Sequence, residues 1–566
     1  MHLRAAGTAG SVQPGRGADE PLTHELSDTP DSLVAATRRR KVSIVQRRSR
    51  LVVAVLATIL AVSAGCTVPS YAPNGSGEAR PAPASTQNPS GRTGTADWRP
   101  CPDVPEGLVG QGAPGMTYDC ADVDVPRDWN DASSGETYAI SMIRIRSSKQ
   151  SGRTGSLLIN PGGPGGSGID TAVYLSFGEA FGGLPAKVTE KFDIIGFDPR
   201  GVGRSAPVKC ISPTDQDASF AAPPDPVGLE QFNQLVELNK RIATSCASKY
   251  SDQLPLFSTE QAARDMDSLR QAVGDDKLTY LGFSYGTLLG ATYAQLFPQN
   301  VRAMVLDGAV DPKQNFVEGS ETQAKGFERA FTNFTNWCKA TPDKCPIAPD
   351  ARKAVTDAIT AAATKPVAAA DGRQATSGWI FVAVISSLYT ESGWAKLAGA
   401  ISQLKGGNPR SVLALADQYA ERKPDGTYSN LFDANLAVNC ADTEDAPSLD
   451  EVRRLQGEWR TKYPLFGAPL AVGMLPCAVW EGKRDPYPVG AATNAPPIVV
   501  VGTTGDPATP YENTADLASM LGVGHVLTWE GEGHTAYPST PCIVNAVDAY
   551  LIDLKVPQEG LRCPAK

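Results

Sequence analysis

Apolar and polar residues alternate in blocks along most of the chain, and the blocks predict strands and helices in turn. Continuous runs rich in Val, Ile and Leu are typical of strands buried on both faces of a parallel sheet. Such runs stand at 137–146, 156–160, 192–198, 278–283, 301–307, 497–502 and 523–529. Stretches with helical periodicity lie between them, for example 258–273 and 287–297. The alternation predicts an α/β fold with a doubly wound, mostly parallel sheet.

The alternation stops between residues 312 and 490, where the pattern predicts helices and loops but no parallel strand. Helical stretches there include 318–337 and 350–364. Strands and helices alternate again after residue 490, so 312–490 is predicted to be a helical insertion into one α/β core. The two parts of that core are then residues 99–311 and 491–566.

The N-terminal part of the chain predicts a targeting signal. Residues 1–50 end in a strongly basic stretch, which precedes an apolar segment at 51–65 and then Cys66. This order is typical of a signal peptide, and the apolar run is short for a transmembrane helix, which needs about 20 residues. The sequence AVSAGC resembles a bacterial lipobox and makes Cys66 the candidate lipidation site, although Ser63 stands where Leu is usual. Simple secretion with cleavage nearby is the alternative.

Residues 66–98 are rich in Pro, Gly, Ser and Thr and predict a flexible tether that cannot form a core. Folded sequence is expected to begin near Trp98 and Cys101. Residues 1–50 are expected to stay on the cytoplasmic side as a disordered lead.

A chain with a formal net charge of −9 is a poor partner for nucleic acid, because phosphate contacts dominate that affinity.

The chain has 11 cysteines, and ten remain if Cys66 is lipidated. An exported chain can form disulfides, although buried reduced thiols are the alternative and sequence alone does not determine connectivity. Proximity along the sequence suggests Cys101–Cys120, Cys210–Cys246, Cys338–Cys345, Cys440–Cys477 and Cys542–Cys563. The sequence has no CxxC pair or Cys/His cluster that predicts a metal site, and no cofactor is expected.

Gly-Phe-Ser-Tyr-Gly at 282–286 matches the G-x-S-x-G pattern of a nucleophile elbow. The pattern is weak alone, but a predicted strand precedes it and a predicted helix follows. Glycines on both sides of Ser284 remove the Cβ atoms that would clash in a sharp turn. Such a turn would present the Ser284 hydroxyl at the carboxyl edge of the sheet, where α/β folds place ligands. A chance strand-turn-helix with a serine is the alternative.

A serine nucleophile needs a base, and the sequence offers few histidines. His2 and His24 precede the targeting signal, and His525 lies inside a predicted strand, where a core or edge role is expected. His534 stands in a glycine-rich loop just after that strand and is the candidate base.

Asp506 follows the predicted strand 497–502 and is the candidate acid. The chain order Ser, Asp, His is that of α/β-hydrolases. Asp506 would otherwise cap the turn before Pro507, and Asp307, at the end of strand 301–307, is the second candidate acid.

The glycine-rich sequence at 160–168 directly follows a predicted strand and predicts an oxyanion hole. The amide of Gly163 or a neighbour would be one donor and the amide of Tyr285 the other. A phosphate-binding loop is an alternative, but no GK[ST] follows and Pro164 removes one N–H group. A plain flexible loop is another.

Five motifs in this order, NPGGPGGSG, GFDPRGVGRSAP, GFSYG, GDPATP and GEGH, resemble the secreted tripeptidyl-aminopeptidase family of actinobacteria over residues 100–566. Its members are α/β-hydrolases related to prolyl iminopeptidases, with a TAP-like C-terminal region. The resemblance implies an exopeptidase that releases short peptides, often tripeptides, from free N-termini. By the same resemblance, Ser284 is the nucleophile, His534 the general base and then acid, and Asp506 the residue that orients it. In α/β-hydrolases a helical lid is usual between strands 6 and 7, where 312–490 is predicted.

An aminopeptidase also needs a carboxylate to receive the substrate ammonium group. The candidates are Asp442, Glu318 and Glu321, each with the alternative of a solvated surface acid. Thr509, three residues after Asp506, is expected to line the site.

Two other functions stay open. A carboxylesterase or lipase would use the same triad, and a lipoprotein with an inactive hydrolase fold would act as an envelope-binding module. The expected partners are peptide or protein substrates, and a membrane through the lipid at Cys66.

Overall fold

The computed structural model describes residues 95–101 and 115–565. The predicted signal segment, Cys66 and most of the tether lie outside the described residues. The first described residues already pack on the core, because the Ala96 amide donates to the Ala272 carbonyl at 2.9 Å and the Arg144 guanidinium lies 4.3 Å from the Trp98 ring centroid. Among the described residues, no helix combines the length and the apolar character needed to cross a bilayer.

Within the described part of the chain, one large sheet is built from eight main strands. They are β1 Met116–Pro126, β2 Thr137–Ser147, β3 Gly155–Asn160, β4 Phe192–Phe197, β5 Leu278–Phe283, β6 Val301–Asp307, β7 Ile498–Gly505 and β8 Gly524–Glu532. Their order is β1-β2-β4-β3-β5-β6-β7-β8, with two-residue strands Arg99–Pro100 and Arg562–Cys563 at the two edges. β1 pairs antiparallel with β2, and β2 with β4, whereas β3 through β8 run parallel to one another. The predicted doubly wound, mostly parallel sheet is confirmed.

Burial explains why the strand pattern was readable. Every residue of β3, β4 and β5 is buried, so these strands carry continuous apolar runs in place of an alternating pattern. Each fully buried Val or Leu side chain contributes about 1.5–3 kcal/mol to folding relative to exposure, so burial of these strands contributes strongly to folding.

Helices cover both faces of the sheet. The helices of the core are α1 Gly168–Leu175, α2 Ala186–Thr189, α3 Pro213–Ala221, α4 Gly228–Tyr250, α5 Thr259–Ala272 and α6 Tyr285–Leu296 before the insertion, and α16 Glu512–Leu521 and α17 Pro541–Asp553 after it. Helix α5 begins at a capped position, because the Ser258 side chain accepts from the Gln261 amide, as its sequence favours.

Between β6 and β7 the chain forms the helical insertion, defined here as residues 316–478. Its helices are α7 Phe316–Ala340, α8 Ala351–Thr364, α9 Ser377–Leu388, α10 Glu391–Lys405, α11 Arg410–Ala420, α12 Leu431–Asp442, α13 Leu449–Lys462, α14 Gly467–Val472 and α15 Leu475–Ala478. A short hairpin joins Val367–Ala368 to Gln374–Ala375. The insertion has an apolar core of its own, in which Phe331, Phe334 and Trp394 are buried.

The five suggested cysteine pairs are all present as disulfides. One pair, Cys440–Cys477, joins α12 to α15 within the insertion. Another, Cys542–Cys563, ties α17 to the two-residue strand at the sheet edge beside β8. The disulfides thus brace both the insertion and the C-terminal part of the core.

Candidate active site

Ser284 occupies a strained turn between β5 and α6. Its backbone has φ 56° and ψ −124°, an uncommon conformation for a residue with a side chain. A Cβ atom at Gly282 would lie 2.4 Å from the Gly286 carbonyl oxygen, and one at Gly286 would lie 2.8 Å from the Asn160 carbonyl oxygen. Both glycines are therefore required for the turn to close, as the G-x-S-x-G pattern indicates.

Asp506 and His534 form the acid and base pair that the sequence predicts. His534 Nδ1 lies 2.9 Å from Asp506 Oδ1 and 3.0 Å from Oδ2. Asp506 is fully buried and also accepts the amides of Ala508 and Thr509 at 2.9 Å and of Thr535 at 3.1 Å. This carboxylate is therefore fixed by the loop after β7 and aimed at the imidazole.

Thr509 lies beside the acid and base pair. Its hydroxyl donates to Asp506 Oδ2 at 3.1 Å and lies 3.3 Å from His534 Nδ1. The side chain is buried between the acid and the base. The Thr509 hydroxyl therefore links the acid and the base, and its expected contact with substrate stays a prediction.

The nucleophile turn meets this pair at the end of β6. The Ser284 amide donates to the Asp307 carbonyl at 2.9 Å. At the next residue, Gly308, a Cβ atom would lie 3.3 Å from His534 Cε1 and 3.0 Å from Thr509 Oγ1. Because Gly308 has no side chain, the loop that carries His534 can lie close to the end of β6, beside the elbow at the same edge of the sheet.

Asp307, the second candidate acid, anchors the base loop through its backbone. Its buried carboxylate accepts the Ala536 amide at 3.0 Å and the Tyr537 amide at 2.7 Å. Burial raises the pKa of this carboxyl to about 7 against those hydrogen bonds. Asp506 is the candidate acid that contacts the imidazole directly.

The charge state of the base reflects both carboxylates. Burial lowers the pKa of the His534 imidazole, but the facing carboxylates of Asp506 and, more weakly, Asp307 outweigh burial and raise that pKa above its ordinary value. The same carboxylates stabilise the imidazolium that forms when the neutral imidazole accepts a proton, so the surroundings strengthen His534 as a base.

The glycine-rich loop after β3 lies directly against the elbow. A Cβ atom at Gly162 would lie 2.5 Å from the Phe283 carbonyl oxygen and 2.9 Å from the Tyr285 nitrogen. The Gly162 amide already donates to Asn160 Oδ1 at 2.9 Å. Gly162 makes the closest approach, which the sequence did not single out, and the following amide, of Gly163, remains the candidate oxyanion donor beside that of Tyr285.

The helical insertion covers this loop. A Cβ atom at Gly165 would lie 2.3 Å from the Leu431 carbonyl oxygen, and Asn435 Nδ2 donates to the Pro164 carbonyl at 3.0 Å. On the other side of the site, the Tyr389 carbonyl accepts the His534 amide at 2.8 Å. Sequence reasoning missed Asn435 and Tyr389, because nothing local in the sequence marks either residue.

Of the three candidate ammonium ligands, Asp442 lies closest to the elbow. The Asp442 carboxylate accepts the Thr259 amide at 2.8 Å and the Thr259 hydroxyl at 2.6 Å, and that hydroxyl lies 2.6 Å from the Tyr285 hydroxyl. Burial raises the pKa of the Asp442 carboxyl to about 7, against the Thr259 hydrogen bonds. The half-buried Asp442 carboxylate is thus linked through the Thr259 hydroxyl to the side chain of Tyr285, the residue after the nucleophile.

The other two candidates have structural partners, which favours for both of them the alternative of a surface acid. Glu318 is exposed and forms a capping box with Asn315 at the start of α7. Glu321 pairs with Lys462 and accepts from the Tyr463 hydroxyl, so it ties α7 to the end of α13.

His525 lies on β8, and its Nδ1 lies 3.2 Å from Glu559 Oε2, in agreement with the expected edge role. Over the described residues, no three His, Cys, Asp or Glu side chains are grouped so that they could hold a metal ion.

Comparison with known proteins agrees with this geometry. The family described as "alpha/beta hydrolase fold" matches residues 155–350, and the family described as "TAP-like protein" matches residues 463–563. The chain is 36% identical to "Serine protease Hip1" of Mycobacterium tuberculosis, over 93% of this chain and 99% of that protein. It is 33% identical to "Carboxylesterase B" of the same organism, over 79% and 86% of the two chains. It is 30% identical to "Tripeptidyl aminopeptidase" of Streptomyces lividans, over 78% and 83%.

Proposed function

The chain belongs to the TAP-like family of α/β-hydrolases and is a serine peptidase of that type, and on this premise we propose that it is an aminopeptidase that releases short peptides, chiefly tripeptides, from free N-termini. The observation that carries the proposal is the hydrogen-bonded chain from Asp442 through Thr259 to Tyr285, which places a carboxylate beside the nucleophile elbow. A carboxylate in that place selects substrates with a free ammonium group.

The proposed catalytic residues are Ser284, His534 and Asp506. Ser284 Oγ attacks the scissile carbonyl while His534 takes its proton, and Asp506 holds the Nδ1–H and stabilises the imidazolium. The amides of Gly163 and Tyr285 donate to the oxyanion. His534 then protonates the leaving amine, and water, deprotonated by the same histidine, hydrolyses the acyl-enzyme.

The proposed amine anchor also limits peptide length. An acyl group of three extended residues spans roughly 10 Å. The reach from the elbow to Asp442 is one tyrosine side chain followed by two hydrogen bonds of 2.6 Å each, which is of the same order. A blocked amine would leave the Asp442 carboxylate with its Thr259 hydrogen bonds but without an ammonium partner, at a cost of about 1–3 kcal/mol relative to the free amine.

The proposal includes export and a lipid anchor at Cys66, facing outward from the cell membrane. The signal-like order of residues 37–66 supports it, as do the five disulfides, which persist in oxidising compartments. The segment 66–98 would then be the tether between the lipid and the folded part.

A carboxylesterase is the second candidate function, because one relative at 33% identity carries that name and an acyl-enzyme mechanism serves esters and amides alike.

The test compares the wild type with Ser284→Ala on three substrates: a free tripeptide carrying a chromogenic amide, its N-acetylated counterpart, and a short-chain ester. The proposal predicts good turnover of the free tripeptide, poor turnover of the acetylated one, and loss of both in Ser284→Ala. Turnover of the ester alone would make the protein an esterase, and activity that survives in Ser284→Ala would remove Ser284 from the mechanism.

A further inference from the structure

The loop that carries His534 is bonded to the helical insertion. Tyr389 directly follows α9, and its carbonyl accepts the His534 amide at 2.8 Å. The next residue, Thr390, pairs with Gly533 in an isolated antiparallel bridge. A Cβ atom at Gly533, where φ is 115°, would lie 2.9 Å from the Tyr389 carbonyl oxygen, so the close approach depends on this glycine.

The Tyr389 side chain contacts the same histidine. Its ring stands edge-on to the His534 imidazole, with ring centroids 5.2 Å apart and an interplanar angle of 86°. Such aromatic pairs contribute beyond the area that they bury, and they also fix the ring orientation. The imidazole is therefore held on one side by the Asp506 carboxylate and on another by Tyr389.

Tyr389 is itself fixed by the insertion. Its ring packs against Phe327 of α7 at 6.0 Å and against Tyr419 of α11 at 5.9 Å. Three helices of the insertion, α7, α9 and α11, therefore determine where the Tyr389 ring and carbonyl lie.

We propose that Tyr389 is a positioning residue for His534, through which the helical insertion completes the catalytic site of the core. The proposal rests on the proposed function, in which His534 is the base. The insertion then does more than cover the site. Any displacement of the C-terminal end of α9 removes a hydrogen bond and a ring contact from His534, so the reaction is fast only while the insertion is packed against the core.

The aromatic ring and the backbone carbonyl of Tyr389 position His534 in this proposal, whereas the Tyr389 hydroxyl has no part in it. Tyr389→Phe keeps both features and is the conservative variant. Tyr389→Leu keeps apolar bulk but loses the ring contact and the packing that fixes the carbonyl. Phe381→Leu is the matched control, because Phe381 lies on the same helix, is buried, and packs against Phe466 at 5.4 Å.

The experiment measures kcat and KM for each variant on the free tripeptide amide and on the short-chain ester, with thermal melting as the check on folding. Small misplacements of a catalytic group cost up to about a hundredfold, so Tyr389→Leu is expected to lose between about tenfold and a hundredfold in kcat on both substrates. Its KM should stay within about twofold, since uniform binding is unchanged. Tyr389→Phe should recover kcat to within about threefold of wild type, and Phe381→Leu should lower the melting temperature but leave kcat within about twofold.

Three results would overturn the proposal: a wild-type kcat in folded Tyr389→Leu, equal losses in the Phe and Leu variants, or a loss confined to KM on the tripeptide. Should Tyr389→Leu fail to fold, Tyr389→Met replaces it under the same criteria. His534→Ala separates the two levels of inference. If it retains activity, the proposed function fails, whereas if it is inactive while folded Tyr389→Leu is not, only the role of Tyr389 fails.

Discussion

The α/β core and the helical insertion contribute to the site in different ways. The core supplies Ser284, Asp506 and His534 from the carboxyl ends of parallel strands, where the sheet fixes them to a common edge. The insertion supplies Tyr389 and Asp442 from helix ends that reach over that edge. Under the two proposals above, the core determines which chemistry occurs, and the insertion determines how well the base is placed and which substrate is accepted.

The largest predicted effect tests the contribution of the core. Asp506→Asn should lower kcat by about 10³–10⁴-fold, because an amide cannot hold the Nδ1–H tautomer or stabilise the imidazolium. Steady-state kinetics on the free tripeptide amide measure it. The matched control is Asp307→Asn, the same change at the other buried acid, and an equal loss there would contradict the division of roles between the two aspartates.

The next effect tests the contribution of the insertion. Asp442→Asn should lower kcat/KM for the free tripeptide by about tenfold to a hundredfold, the cost of losing one charged hydrogen bond. The kcat/KM for the N-acetylated tripeptide should change little, so the ratio of kcat/KM for the free over the acetylated substrate should fall. Paired kinetics on the two substrates report it, and a preserved preference would move the amine site away from Asp442.

A smaller effect concerns pH. His534 must be neutral to act as base, and its pKa is raised, so kcat/KM should rise with pH through a midpoint above 6.5, the ordinary value for histidine. The Asp307 carboxylate contributes to that raised pKa, so Asp307→Asn should move the midpoint to lower pH. The same variant loses part of the anchor for the Ala536 and Tyr537 amides, and a loss of about tenfold in kcat is expected. A midpoint that stays or moves to higher pH would contradict the account.

The smallest effect concerns Glu318 and Glu321, the two candidate acids that have structural partners at the start of α7 and on α13. Glu318→Ala should cost at most about 1 kcal/mol of unfolding free energy, as expected for a helix cap, and leave kcat/KM unchanged. Glu321→Ala is its matched partner. Denaturant melts measure the unfolding free energy, and steady-state kinetics measure kcat/KM on the free and acetylated tripeptides. A changed preference for the free amine in either variant would show that its residue contacts the substrate.

Much of the core was predictable because its signals are local. The bounds of β5 and β6 agree with the predicted runs at 278–283 and 301–307, since strands buried on both faces read as continuous apolar segments. The elbow at Ser284 was readable from its two glycines. The disulfides were also local, with partners between 7 and 37 residues apart.

Of the residues that the insertion contributes, Asp442 was a candidate from the sequence, but Tyr389 was not predictable, because its role depends on contacts between segments far apart in the chain. Tyr389 is an ordinary tyrosine at a helix end until folding brings it to His534. Thr509 was expected to line the site, and only the geometry shows that its hydroxyl donates to Asp506. The capping role of Glu318, in contrast, has a local signal in the sequence, because Asn315 stands three residues before it in the pattern of a capping box.

The most direct test of the central claim is covalent labelling with a fluorophosphonate probe, followed by mass spectrometry of the labelled peptide. The account predicts one labelled residue, Ser284, at a rate that falls sharply in His534→Ala and in Asp506→Asn. Labelling of another residue, or undiminished labelling of Ser284→Ala, would contradict the assignment of the nucleophile and with it the mechanism.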